Sequence, residues 1–295
     1  MTRQLGAVEA GGTKFVCAVG TGPENIVART KVATQDPATT IGNVLSFFAE
    51  HDVTAIGVAS FGPLELRRRH ELYGYITTTP KPGWSNTEIV GPLEAATRVP
   101  IGFDTDVNGA ALGEGRWGAA RGLSTFVYVT IGTGIGGGAV VNGQVAHGLV
   151  HAEMGHLSVR RKPGDDFAGT CPFHGDCFEG MASGPSMAAR WGTPAETLTG
   201  DALEAAIEIE AHYIAEGLRN IVYAIAPERI IVGGGVSSID GLLPQVRRKL
   251  TESLAGYPGL PDHEKPDFVT PPGLGDGSGI AGAFALAETA LAERL

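Results

Sequence analysis

Short apolar runs rich in valine and isoleucine alternate along the chain with stretches whose apolar residues recur every three to four positions. The first pattern marks buried strands and the second amphipathic helices. Strands are predicted over 5–8 and 15–19, joined by the turn Gly11-Gly12-Thr13-Lys14. Ile41, Val44, Leu45 and Phe48 form one helical face, followed by a strand over 53–59, a helix around 86–97, a strand over 100–103 and a short helix over 107–113. The second half restarts with a strand over 126–131, a glycine turn and a strand over 138–141. Ile207, Ala211, Ile214, Leu218, Ile221 and Ile225 mark a long helix. A strand over 229–232, a helix over 242–254 and an alanine-rich helix from near Gly279 close the series. Strand, glycine turn, strand heads both halves, which predicts a duplicated α/β unit with each half offering a turn to a shared cleft.

Glycine accounts for 44 of the 295 residues, about twice the average usage. Without a G-X-Y period, and with 43% hydrophobic residues, this surplus is neither collagen nor disorder. It marks turns and places where backbone comes close to something, with Gly279 and Gly282 read as a hinge-like start to the last helix. A net charge of −10 makes nucleic acid a poor partner. The runs Arg67-Arg68-Arg69 and Arg160-Arg161-Lys162 read as solvated loops. No apolar stretch approaches the roughly 18 residues of a membrane span, so no membrane partner is expected. Three cysteines are too few for a disulfide framework, and the chain reads as cytoplasmic.

Three glycine turns each follow a predicted strand: 11–14, 132–138 and 233–235. Such turns let backbone N–H groups surround a phosphate, with a following Thr or Lys adding to the binding. The Walker pattern is absent. Gly132, Gly134 and Gly137 satisfy G-x-G-x-x-G, but the dinucleotide fingerprint must open a helix and this one runs into a strand, so hydride chemistry is disfavoured. Glu9, two residues before Gly11, is either a carboxylate that manages Mg²⁺ through water or a strand-end acid facing solvent.

Phosphoryl transfer to an alcohol needs a carboxylate to accept the hydroxyl proton. Asp104 and Asp106 stand just past a strand at the start of a helix; one is expected to be the helix N-cap, and spacing alone does not say which does chemistry. Cys171, His174 and Cys177 have C-x₂-H-x₂-C spacing, which in a cytoplasmic chain points to Zn²⁺. His156 and His151 are both upstream candidates for a fourth ligand, tying down the loop 157–170. Cys17, inside a strand, reads as a small buried hydrophobe.

Taken in order, Glu9–Lys14, 74–84, Asp104–Asn108, 131–138, Glu153–His156, the Cys171–Cys177 cluster with Glu179, and 233–235 resemble the ROK sugar kinases, and within them the fructokinase branch. The resemblance implies a duplicated actin-like (hexokinase/ribonuclease H-like) α/β ATPase fold, two domains around a central cleft: 1–118 with 283–295, and 119–282 with the zinc loop. It implies ATP-dependent phosphorylation of D-fructose to D-fructose 6-phosphate, with another hexose (mannose, glucose or N-acetylmannosamine) as the first alternative and a non-catalytic sugar sensor as the second. Asp106 matches the general base, and Asp104 then has a structural part. Asn108, Glu153, His156 and Glu179 match sugar-binding positions. His156 also matches the fourth zinc ligand beside Cys171, His174 and Cys177, so one ring nitrogen could bind metal while the other faces the sugar. Gly11, Gly12, Thr13, Lys14, Thr133 and Gly134 match the phosphate turns, and Gly234 and Gly235 the adenosine side. ATP, Mg²⁺ and Zn²⁺ are the implied cofactors, and a homodimer the implied assembly. Glu9 where many members carry Asp, Thr105 where they carry Asn, and Lys81 after Pro80 where they carry Asn are the features that favour fructose over glucose.

Overall fold

A computed structural model describes residues 3–294. The chain forms β1 (Leu5–Ala10), β2 (Lys14–Gly20), β3 (Ile26–Ala33), α1 (Pro37–Ala49), β4 (Ile56–Ser60), the short pair β5 (Tyr75–Ile76) and β6 (Thr87–Glu88), α2 (Val90–Thr97), β7 (Ile101–Thr105) and α3 (Asp106–Trp117). Then come β8 (Phe126–Ile131), β9 (Ile135–Val141), β10 (Gln144–Val145), α4 (Phe178–Ala182), α5 (Gly184–Trp191), α6 (Gly200–Ile225), β11 (Arg229–Gly233), α7 (Leu242–Leu254), β12 (Val269–Thr270) and α8 (Ser278–Arg294). Two compact units result: Met1–Gly122 with Val145–His151 and Gly273–Leu295, and Leu123–Gln144 with Ala152–Pro272.

Each unit holds a five-stranded sheet, ordered β3-β2-β1-β4-β7 in the first and β10-β9-β8-β11-β12 in the second. In the first, β1 runs antiparallel to β2 and parallel to β4, which is parallel to β7. In the second, β8 runs antiparallel to β9 and parallel to β11, which is parallel to β12. The duplication expected from the strand–turn–strand heads is present in the pairing itself.

Alternation along β1 divides the first core. Val8 and Ala10 join Phe15, Cys17, Val44, Phe48 and Trp84 in one cluster, while Leu5 and Ala7 join Ala59, Ile280, Ala283 and Phe284 in another. Cys17 is fully buried, as its strand position suggested, and burial pushes its thiol up to about 12. Val44 and Phe48 are the buried positions of the predicted α1 stripe. That helix starts on an Asp36 carboxylate that accepts from the Thr39 amide at 3.0 Å, followed by Pro37.

The side bearing α8 explains much of the glycine surplus. A Cβ on Gly57 of β4 would stand 1.8 Å from the Ala283 carbonyl oxygen, and one on Gly102 of β7 would stand 2.3 Å from that of Leu286. One on Gly282 would fall 1.8 Å from the Gly109 oxygen of α3. The helix therefore lies on its sheet and on α3 at backbone contact distance. Gly282, read from sequence as part of a hinge, is a packing residue. Glu114 fastens the same region. Fully buried on α3, its carboxylate accepts from the amides of Ala119 (2.6 Å), Gly273 (2.9 Å) and Leu274 (3.0 Å) and from the Ser278 hydroxyl (2.6 Å).

Differences from the predicted elements have local causes. The helix expected from residue 86 starts at Val90, because Asn86 takes a left-handed conformation (φ 57°) and Thr87–Glu88 pairs with Tyr75–Ile76. The strand expected from 53 starts at Ile56. Strand β3 was not anticipated; it is an edge strand with Val32 as its only buried residue.

Candidate active site

In the first unit the three parallel strands end together, the place where α/β sheets present ligand-binding loops. After β1 the turn Gly11–Lys14 closes on itself through the Gly11 amide, which donates to the Lys14 carbonyl at 3.0 Å. From the end of β3, the Thr34 hydroxyl donates to the Gly11 carbonyl (2.7 Å) and its amide to that of Thr13 (3.0 Å). Gly12, Thr13 and Lys14 remain exposed. Beside them the Glu9 carboxylate packs on the first turn of α8, 2.6 Å from where a Cβ on Gly279 would be. Burial raises its pKa; Lys14 and Arg29 pull it back and Asp276 adds to the rise.

At the β7–α3 junction the helix cap is neither aspartate but Thr105, whose hydroxyl accepts from the Asn108 amide at 3.1 Å. Neither carboxylate is spent on the cap. Asp106 is the first helical residue, half-buried, with Oδ1 accepting from the Val107 amide at 2.9 Å. Asp104 is buried, its Oδ1 accepting from the Thr105 amide (2.8 Å) and from Asn108 Nδ2 (2.7 Å). Its Oδ2 pairs with His147 Nε2 at 2.8 Å, and this bond raises the His147 pKa against the opposing effect of burial. Nothing local in sequence singled out His147; its partner lies 43 positions earlier.

In the second unit the turn after β8 is stitched from both sides. The Gly132 amide donates to the Gly134 carbonyl (2.9 Å), and the Gly184 amide, opening α5, to the Gly132 carbonyl (2.8 Å). Glu179 Oε2, from α4, accepts from the Ile135 amide at 2.9 Å. Residues 135–141 are strand, so the G-x-G-x-x-G match opens no helix and the dinucleotide reading is excluded. Gly234 (φ 88°) directly follows β11, where a Cβ would stand 2.3 Å from the Ile131 carbonyl oxygen, and only glycine fits. Next to these turns is a cavity of 760 Å³ lined by Thr133, Pro185, Leu198, Gly235, Val236 and Ile239 among others. Its largely apolar wall suits a flat ring such as a nucleobase. The share of that wall from 194–203 carried no motif and was not foreseen.

Glu153 precedes a single 3₁₀ turn, Met154–His156. His156 Nδ1 lies 3.8 Å from Cys171 Sγ and 3.6 Å from Cys177 Sγ, and His174 Nδ1 lies 3.8 Å from Cys171 Sγ. The four ligand atoms fall within 4.8 Å of one another. Metal bonds of about 2.3 Å to sulfur and 2.0 Å to nitrogen give a tetrahedral nitrogen–sulfur edge of about 3.5 Å, and these contacts lie within about 0.3 Å of it. His151, the other upstream candidate, is elsewhere: its Nε2 accepts from the Leu64 amide at 3.1 Å in the first unit. The cluster's turn is shaped by Cys171 and Gly175, which exchange backbone hydrogen bonds of 3.2 and 2.9 Å. Loop 157–170 has a second, metal-free anchor. Arg190 pairs with Asp165 at 2.7 Å and stacks on Phe167, and the Tyr213 hydroxyl donates to the same carboxylate. Against burial, which alone would raise it, these partners hold Asp165 at about 2.

Two α/β units of one sheet topology, each with a glycine turn after its first strand, define the duplicated actin-like fold of the hexokinase class. Residues 5–290 match the ROK family, and the chain belongs to it. It is 46% identical over 289 residues to a fructokinase of Zymomonas mobilis, covering 96% of this chain and 95% of that one. A fructokinase of Pediococcus pentosaceus is 42% identical over 287 residues, with 97% and 98% covered. The crystal structure of a ROK hexokinase from Thermus thermophilus superposes with a TM-score of 0.80 at 26% identity, covering 98% of this chain and 99% of that one. The fold and family expected from sequence are borne out. No helix among the described residues is long and apolar enough to cross a membrane.

Proposed function

We propose that this protein is an ATP-dependent fructokinase that converts D-fructose to D-fructose 6-phosphate. The observation that carries the reading is the 46% identity, over nearly the whole chain, to a protein named fructokinase. It is supported by the placement of Asp106 at the head of α3 and of the glycine turns at strand ends.

Asp106 accepts the proton of the 6-hydroxyl as that oxygen attacks the γ-phosphorus and the bond to the ADP oxygen breaks. One of its oxygens accepts from the Val107 amide, which helps to hold the side chain at the head of α3. Gly11, Gly12, Thr13, Lys14, Thr133 and Gly134 offer donors to the phosphates, and the cavity beside Gly234 and Gly235 takes the adenosine. Asn108, Glu153, His156 and Glu179 hold sugar hydroxyls. The two acids Glu9 and Asp276, whose proximity helps raise the Glu9 pKa, are oxygen donors of the kind Mg²⁺ takes through water. Bound with the nucleotide, Mg²⁺ neutralises charge on the phosphates.

The test is ADP release across a hexose panel, read as kcat/KM. Fructose is expected to exceed glucose, mannose and N-acetylmannosamine by tenfold or more; a clear preference for one of the others makes the protein a different hexose kinase of this family.

The donor set fits Zn²⁺, held by His156, Cys171, His174 and Cys177. The metal would leave His156 Nε2 to the sugar and add on the order of 10 kcal/mol of local folding energy. Elemental analysis is expected to find one zinc per chain. Chelation should open 168–177 to proteolysis while 161–167, tied by Arg190 and Asp165, stays protected. Metal-free native protein with an unchanged cleavage pattern would refute the site.

A further inference from the structure

Segment 145–151 begins on the last residue of β10 yet belongs to the first unit. Two histidines clip it there: His151 takes the Leu64 amide, and His147 takes Asp104. The second clip is the informative one. Asp104 is 3% exposed, while 43% of the His147 side chain faces solvent. A buried carboxylate is tolerated only when paired and hydrogen-bonded. Here backbone and Asn108 fill one oxygen, and His147 supplies the hydrogen-bond partner at the other.

The carboxylate in turn orients what surrounds it. Asn108 is 2% exposed, and its Nδ2 donates to Asp104, which turns its Oδ1 the other way. His147 Nε2 lies 3.5 Å from that same Nδ2. The Thr105 amide, also held by Asp104, belongs to the residue that caps α3 immediately before Asp106. One carboxylate therefore sets the first turn of α3, and one imidazole sets the carboxylate.

We propose that His147 is a positioning residue for the sugar: acting through Asp104, it fixes Asn108 and the opening turn of α3, so that Asp106 and Asn108 meet the hydroxyls in register. This rests on the kinase reading given above. Removing the imidazole leaves Asp104 buried with one oxygen stripped of its partner. The carboxylate must then take up a proton or rotate toward water, and either response releases Asn108.

Steady-state kinetics of His147→Ala, His147→Gln and the double variant His147→Ala/Asp104→Asn test it, with fructose and ATP varied in turn. His147→Ala is expected to raise KM for fructose about tenfold or more while KM for ATP stays within twofold. His147→Gln, which can still donate one N–H to Asp104, should recover most of that loss. The double variant, with no buried charge left to pair, should bind fructose better than His147→Ala alone. If the wild-type protein phosphorylates fructose and His147→Ala keeps the wild-type KM, the positioning role is wrong and the kinase reading stands. A fall in thermal stability with both KM values moving together marks a merely structural histidine and overturns the proposal. If the wild-type protein phosphorylates no hexose, the kinase reading fails and this role falls with it.

Discussion

Replacing Asp106 with Asn is expected to lower kcat for sugar phosphorylation by about 10²–10⁴ while KM for ATP and thermal stability change little. The amide keeps an oxygen for the Val107 N–H and remains compatible with the first helical position, so the fold loses nothing. What is lost, on the proposed mechanism, is the group that takes the hydroxyl proton while the new O–P bond forms. Because Thr105, not Asp106, caps α3, any loss of rate cannot be assigned to a lost cap. Steady-state rates together with calorimetric nucleotide binding make the measurement, and near-normal turnover by Asp106→Asn would remove it from the mechanism.

Glu114→Ala should do the opposite, leaving chemistry untouched in principle and stability badly damaged. The substitution deprives three backbone amides of a fully buried carboxylate acceptor, while the Ser278 hydroxyl keeps the Gly275 carbonyl at 3.0 Å. Each orphaned donor costs about 1–3 kcal/mol, so even with partial rescue by water the total is on the order of 4 kcal/mol or more. That is a large part of the roughly 5–15 kcal/mol by which native proteins are stable. Urea or thermal unfolding reads it directly, with a midpoint lower by roughly 10 °C expected. Glu114→Gln keeps shape but turns an NH₂ toward one of the donors, so it should sit between. A Glu114→Ala variant within about 1 kcal/mol of wild type would show that the donors find other partners.

What sequence alone revealed divides along the distance between interacting residues. Strand β8 and helix α7 lie where their patterns placed them, at Phe126–Ile131 and Leu242–Leu254, because each pattern is complete within its own span. The glycine turns and the C-x₂-H-x₂-C spacing were legible for the same reason. Strand β3 was hidden because only Val32 of its residues is buried, leaving little hydrophobic signal. The start of α2 was misplaced by a pairing with residues 75–76 that no local rule discloses. At the candidate site the two aspartates stood out, but their division of labour did not. Asp104 is committed by His147, 43 positions downstream, and Thr105 takes the cap that either aspartate might have supplied. The glycines were read as turns and close backbone approaches, those of three turns as ligand-facing, and the share that makes room for a helix, Gly57, Gly102, Gly113 and Gly282, had no local signal.

That helix has a bearing on how the chain is made. Helix α8 covers one face of the sheet begun at Leu5, yet nearly the whole second unit is translated between them. On the ribosome, β1, β4 and β7 are finished early and wait, with Ala7 and Ala59 uncovered, for a partner synthesised at the end. The second unit has its own sheet and helices to hand and can close first. The unit whose synthesis starts the protein is thus the last to become stable, and its exposed sheet is the surface a chaperone would have to shield.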